Sequence, residues 1–134
     1  MLNIYCDVDG TLVKKQTAKF DAAIAKNKTT DNTWLDAWIE AVRTTPRPLN
    51  LKLLRWLRGL PKDKYRVIMW TNRSPELAEA TIRNIGKWAD VFDEFSFNGY
   101  PNKSKWDEIV EGFVIDDEPK FISNGTKGGC VVKF

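Results

Sequence analysis

Five short apolar runs, each bounded by turn residues, constrain this 134-residue chain more than any other feature. They are Leu2 to Cys6, Val67 to Trp70, a weaker Val91 to Phe97, Phe113 to Ile115 and Cys130 to Phe134. Continuous Val/Ile-rich runs of this length fit strands covered on both faces. Helical patterns fall between them, and such alternation of strand and helix implies a parallel sheet. The predicted fold is α/β, a doubly wound, Rossmann-like, five-stranded and mostly parallel sheet with helices on both faces. The length suits a single domain, 1–134. Six Trp and seven Phe give it bulk for a core without a disulfide or a structural metal.

The connections differ in length. After the second run, Ser74 caps a helix and Pro75 suits its first turn. Glu76 and Glu79 complement the positive end of its dipole, and Leu77, Ile82, Ile85 and Trp88 recur near helical spacing. A very short helix is predicted over Asp107 to Glu111, ended by Gly112. The stretch from Lys14 to Lys64 is longer than one crossover needs. One pattern there runs through Phe20, Ala23 and Ile24. A second runs through Trp34, Leu35, Trp38, Ile39 and Val42, capped by Asp31 or Asn32. A third runs through Leu49, Leu53, Leu54, Trp56 and Leu57, set off by Pro46 and Pro48 and stopped by Gly59 and Pro61. The third is expected to pack on the sheet. The first two form a small helical insertion after strand one.

Several chemistries are excluded. The chain has no His, which rules out Ser-His-Asp and Cys-His catalysis and every His-containing metal site. Its two Cys, Cys6 and Cys130, form no CxxC and are expected as free thiols in a reducing cytoplasm. MLNIYCDVDG lacks the basic start of a signal peptide, and no apolar run nears the ~20 residues that span a bilayer. A soluble cytoplasmic protein without membrane contact is expected. The net charge is +3, yet between Lys14 and Arg66 thirteen Lys/Arg face five Asp/Glu. That basic segment is compatible with a phosphorylated substrate or nucleic acid, although such a segment is more often only a solvated helix face.

The chemistry-bearing residues gather at strand ends. Strand one ends in Asp7-Val8-Asp9-Gly10-Thr11. Ligands of open parallel sheets bind beyond the carboxyl ends of the strands. Two carboxylates close together there raise one another's pKa, and a hard cation such as Mg²⁺ removes that cost. Gly10 lets the chain turn away sharply. Strand two ends in Trp70-Thr71-Asn72-Arg73, where a hydroxyl and backbone N–H groups at a helix start form an anion site. Strand four ends in Asp116-Asp117, a second carboxylate pair. Lys103 and Lys105 precede it, and a Lys there can neutralise a phosphoryl oxygen and hold a carboxylate ionised.

DVDGT, a strand-end Thr, a Lys and VIDD, in this order, resemble the four motifs of the haloacid dehalogenase (HAD) superfamily. Most of its members are Mg²⁺-dependent phosphohydrolases. The resemblance implies a phosphomonoester hydrolase that works through an aspartyl-phosphate. Asp7 is then the nucleophile, and Asp9 the general acid and later the base. Asp7, the backbone carbonyl of Asp9 and Asp116 ligate Mg²⁺, with Asp117 in support. Thr71 and the Asn72 amide bind the phosphoryl group, with Gly10 and Arg73 beside them, and Lys105 or Lys103 completes the charge clamp. Lys105 is preferred, because it sits in a first helical turn and points back to the sheet edge. The third motif is shorter than in most relatives, and the insertion over 14–45 is at most a minimal cap. So open a site suits large substrates. A nucleotide or a nucleic-acid 3′-phosphate is favoured as substrate by the basic segment, with a phosphoprotein or another phosphorylated small molecule as alternatives. A catalytically idle HAD-like binding protein is a further alternative. Trp34 and Trp38 share one helix face, which either packs on the core or forms a lid. Arg73 either contacts substrate or caps acidic neighbours. The oligomeric state stays open, and a monomer is compatible with the site.

Overall fold

All five runs become strands of one sheet: β1 (Leu2–Cys6), β2 (Tyr65–Thr71), β3 (Glu94–Phe97), β4 (Phe113–Asp116) and β5 (Gly129–Val131). The structure is a computed structural model that describes residues 1–100 and 104–134. The strand order is β3-β2-β1-β4-β5, and every neighbouring pair is parallel. The third run starts later than predicted. Gly86–Val91 is a 3₁₀ turn that buries Trp88 and Val91 before the chain extends. The fifth ends sooner, because the Phe134 N–H leaves the sheet and donates to Gly10 O at 3.0 Å.

The two faces of the sheet have separate cores. Ile4, Cys6, Val67, Met69 and Ile115 point to one side, where Leu53, Leu54 and Leu57 of helix α3 (Leu51–Arg58) and Ile85, Trp88 and Val91 cover them. Trp70 and Val114, with Tyr5, point to the other side and meet Val110 and Phe121. Alternation along each strand therefore sends side chains into two apolar layers, which is why these runs are apolar throughout.

The insertion forms helices α1 (Ala18–Asn27) and α2 (Trp34–Thr44). Phe20, Ala41 and Val42 make a small cluster of their own with Leu77, just ahead of helix α4 (Ala78–Ile85). Helix α2 begins differently from the expectation of Asp31 or Asn32. Thr33 is its cap, accepting from the Asp36 N–H at 3.1 Å while the Asp36 carboxylate accepts from the Thr33 N–H at 3.1 Å. This reciprocal pair satisfies two amides that Asn32 leaves alone, since its side-chain oxygen takes the Thr29 N–H instead. Ser74 makes no side-chain cap, and its hydroxyl lies 3.2 Å from a Glu76 carboxylate oxygen. Pro75–Leu77 is a 3₁₀ turn before α4. No helix forms over 107–111. A single 3₁₀ turn, Lys105–Asp107, is followed by Val110, whose N–H donates to Asn124 O at 2.8 Å. The last helix, α5 (Pro119–Ile122), follows β4 directly. Among the described residues no helix is long and apolar enough to cross a membrane.

Register places the motifs. Cys6 stands level with Met69 on one side and Ile115 on the other. Asp7, Thr71 and Asp116 therefore leave three adjacent strands at one edge. From β1 the chain winds first towards β2 and later back to β4, so this edge is the switch point of a doubly wound sheet.

Candidate active site

Lys105 is the centre of the site. Its side chain is 1% exposed, and its ammonium donates to Asp7 Oδ1 at 3.0 Å and Asp116 Oδ2 at 2.7 Å. Two amides fix the backbone that carries it. Asn72 Oδ1 accepts the Lys105 N–H at 2.7 Å, and Asn124 Nδ2 donates to Lys105 O at 2.7 Å. The Trp70 and Phe121 rings lie 4.3 and 4.7 Å from the ammonium, so its stem crosses the apolar layer beneath the edge. Burial works against its charge, but Asp7 and Asp116 outweigh burial and hold its pKa above that of an ordinary lysine. Lys103, the alternative, lies outside the described residues.

The carboxylates are held just as closely. Asp7 Oδ2 accepts from the Thr11 hydroxyl at 3.1 Å, and Asp116 Oδ1 accepts the Glu118 N–H at 3.0 Å. Burial pushes the Asp7 carboxyl well above its usual range, with Lys105 opposing and Asp116 and Asp9 reinforcing. Burial raises Asp116 as well. One ammonium thus leaves an excess of buried negative charge.

That excess is what a hard cation would neutralise. Asp7, Asp116 and Asp117 each offer an oxygen, all within 4.8 Å of one another. Gly10 makes this possible. It turns with φ +86°, and a Cβ built there would stand 2.7 Å from the Asp117 carboxyl carbon. The all-oxygen, carboxylate-rich donor set fits Mg²⁺. The Gly10 N–H, expected beside the phosphoryl group, donates to Val13 O at 2.8 Å.

The Asp9 side chain lies apart from these three carboxylates. Its carboxylate faces two guanidiniums instead. Arg73 Nε donates to Oδ2 at 3.0 Å and Arg73 Nη2 to Oδ1 at 2.8 Å, while Arg47 Nη2 donates to Oδ1 at 2.9 Å. Burial raises this carboxyl, but Arg73 and then Arg47 overcome it and hold it well below the usual carboxylate range. Arg73 thus contacts an acidic neighbour, as one of its two readings expects. Arg73 Nη1 also donates to the Thr81 hydroxyl at 2.9 Å, tying the pair to α4.

Arg47 escaped sequence reasoning, which used its neighbours Pro46 and Pro48 only as punctuation. The signal was present: an arginine with proline on both sides sits on a backbone whose φ values are largely preset. Its Nη1 donates to Lys14 O and Lys15 O at 3.2 and 2.7 Å, and its guanidinium stacks 3.9 Å from the Phe20 ring. It therefore ties the start of the insertion to Asp9. Thr71 is buried, and its Oγ1 accepts the Arg73 N–H at 3.1 Å. Trp38 is half-buried beside the insertion's cluster, whereas Trp34 is exposed.

No family model matches the chain, and no curated protein matches it. Solved structures do. A haloacid dehalogenase-like family hydrolase from Streptococcus pneumoniae aligns over 92% of this chain and 79% of its own, at 14% identity and a TM-score of 0.57. A HAD family enzyme from Bacteroides thetaiotaomicron, solved as an Asp-to-Ala mutant with magnesium and inorganic phosphate, covers 92% of this chain and 88% of its own at 12% identity, with a TM-score of 0.57. A Pnkp1/Rnl/Hen1 complex covers 98% of this chain, which spans 45% of that one, at 17% identity and a TM-score of 0.59.

Proposed function

From a chain with the fold of the HAD-like hydrolases, we propose a Mg²⁺-dependent phosphomonoester hydrolase that works through an aspartyl-phosphate. The observation that carries this reading is the convergence of Asp7, Lys105 and Asp116, from three separate motifs, at one sheet edge. Asp7 would attack phosphorus and form the acyl phosphate as the bond to the leaving oxygen breaks. That oxygen takes a proton from Asp9. Water then attacks the acyl phosphate, Asp9 accepts its proton, and inorganic phosphate leaves with Asp7 restored. Lys105 would neutralise charge on the transferred group and keep Asp7 ionised, and the Thr71 hydroxyl and Asn72 N–H would hold its oxygens. Asp7, Asp116 and Asp117, with the Asp9 carbonyl, would hold Mg²⁺. The ion, when bound, supplies charge for the developing phosphoryl oxygens.

The Asp9 arrangement sets a condition on this chemistry. A carboxylate shared by two guanidiniums carries no proton at neutral pH, and the same two cations weaken it as a base. Both halves of its role therefore require the entering substrate to displace an arginine, after which the carboxyl takes up from water the proton it gives to the leaving oxygen. The same clamp favours a second reading, an idle binding protein that holds a phosphorylated ligand without turnover. The helices over 14–45 would serve as a minimal cap, leaving the site open to a nucleotide or a nucleic-acid 3′-phosphate. A reducing cytoplasm would suit the two free thiols.

Hydrolysis of p-nitrophenyl phosphate, with and without Mg²⁺, tests the reading. Steady Mg²⁺-dependent turnover is expected for the wild type, and its loss for Asp7→Asn. Equal turnover by Asp7→Asn would overturn the mechanism. Phosphate-analogue binding without turnover in the wild type would select the idle reading.

A further inference from the structure

The catalytic depression, about 200 Å³ and lined by Asp7, Thr71, Lys105 and Asp116, opens into a larger cavity of about 450 Å³. The two share Asp9, Lys15 and Asn72. A leaving group that meets Asp9 would therefore lie beside the larger space. That space falls in the range of about 300–1,000 Å³ that takes small organic ligands. Three aromatic rings line it. Trp34 and Trp38, four residues apart on α2, present rings on one helix face, and Tyr100 contributes a third from the segment after β3. Trp34 and Tyr100, 60% and 55% exposed, are the two most exposed aromatic side chains among the described residues. Two large rings left exposed around one cavity mark a surface for a ligand or partner. The charged lining is Lys15, Arg47 and Arg73 against Asp9, a surplus that suits an anion.

We propose that this cavity seats the nucleoside of a nucleoside phosphate, its base lying against Trp34, Trp38 and Tyr100. The assignment rests on the phosphatase reading, and it makes α2 the element that determines specificity. A base offers a π-face to each ring irrespective of its identity, so the seat recognises nucleosides as a class. Beyond the two tryptophans lies another cavity, about 470 Å³, lined also by Lys15, Gln16 and Lys28. A mononucleotide ends at the first cavity, whereas a longer strand continues into the second.

The test compares kcat/KM for adenosine 3′-monophosphate and glycerol phosphate in the wild type, Trp34→Ala and Trp38→Ala. Trp34 is exposed, so its variant keeps the fold; circular dichroism checks the other. The wild type should prefer the nucleotide, and each variant should lower that preference roughly 5- to 150-fold, as the loss of one stacked ring does. Calorimetry should show adenosine binding to the wild type and weakening by a similar factor in the variants. A preference untouched by both substitutions, with Asp7-dependent hydrolysis intact, would overturn the seat and leave the phosphatase reading standing. Tryptophan-dependent binding of adenosine without hydrolysis of any phosphomonoester would remove the phosphatase reading alone. A 3′-phosphorylated oligonucleotide turned over faster than the mononucleotide, with the advantage lost in salt, assigns the seat to a strand end; equal rates assign it to a free nucleotide.

Discussion

Lys105 shows how much one buried charge can govern. Replacing it with Met leaves Asp7 and Asp116 facing each other without a counter-charge, a loss expected to cost on the order of 3–5 kcal/mol at neutral pH. Both carboxyls are raised by burial, so their protonated forms favour the fold. Stability is then retained at low pH and lost as pH rises through the raised values. Urea unfolding of Lys105→Met should accordingly show a larger deficit at pH 8 than at pH 5; a deficit independent of pH would refute the charge argument. Gly10 makes a second residue-scale test. Alanine there meets a positive φ, costing roughly 1–2 kcal/mol, and displaces the Asp117 carboxylate. Gly10→Ala should bind Mg²⁺ more weakly, read as a shallower rise of Tm with added Mg²⁺.

At the scale of elements, α2 is the part most dependent on its own ends. It packs through Ala37, Ala41 and Val42, while its Trp34 end reaches solvent. The Thr33–Asp36 box therefore supplies much of its definition. Thr33→Ala should cost about 1 kcal/mol in chemical unfolding. Faster amide exchange confined to α2, with α3 and β1 unchanged, would show that the insertion loosens apart from the sheet. Exchange that rises equally across the sheet would contradict that separation. The insertion was visible in the sequence as an amphipathic pattern, but its first turn was placed wrongly. Asp31, Asn32 and Thr33 all have capping side chains, and which one caps depends on where the chain enters from α1.

For the whole molecule, the proposed Mg²⁺ site would link cation binding to folding. The negative charge of Asp7 and Asp116, both raised by burial, opposes folding as pH rises, and a cation bound beside them would cancel it. Mg²⁺ at a hundredfold excess over its Kd should stabilise by about 2.7 kcal/mol. The rise in Tm should be larger at pH 8 than at pH 5, where protons compete for the same oxygens. An equal rise in Asp116→Asn would place the ion elsewhere.

The strands were legible because an apolar run is a local property that needs no partner to be recognised. The strand-end position of Asp7, Thr71 and Asp116 followed from the same runs, since a chain leaving a parallel sheet must put its next polar residues at the edge. What the sequence alone determined is therefore the sheet, the edge and the residue types gathered there. The tertiary structure decided which charges meet. Arg47 reaches Asp9 across 38 positions, and Lys105 lies between Asp7 and Asp116 across 98 and 11. No pattern along the chain encodes those pairings. Coulomb interactions depend on distance in space and on the water excluded between partners, and both exist only once the insertion and the sheet have packed.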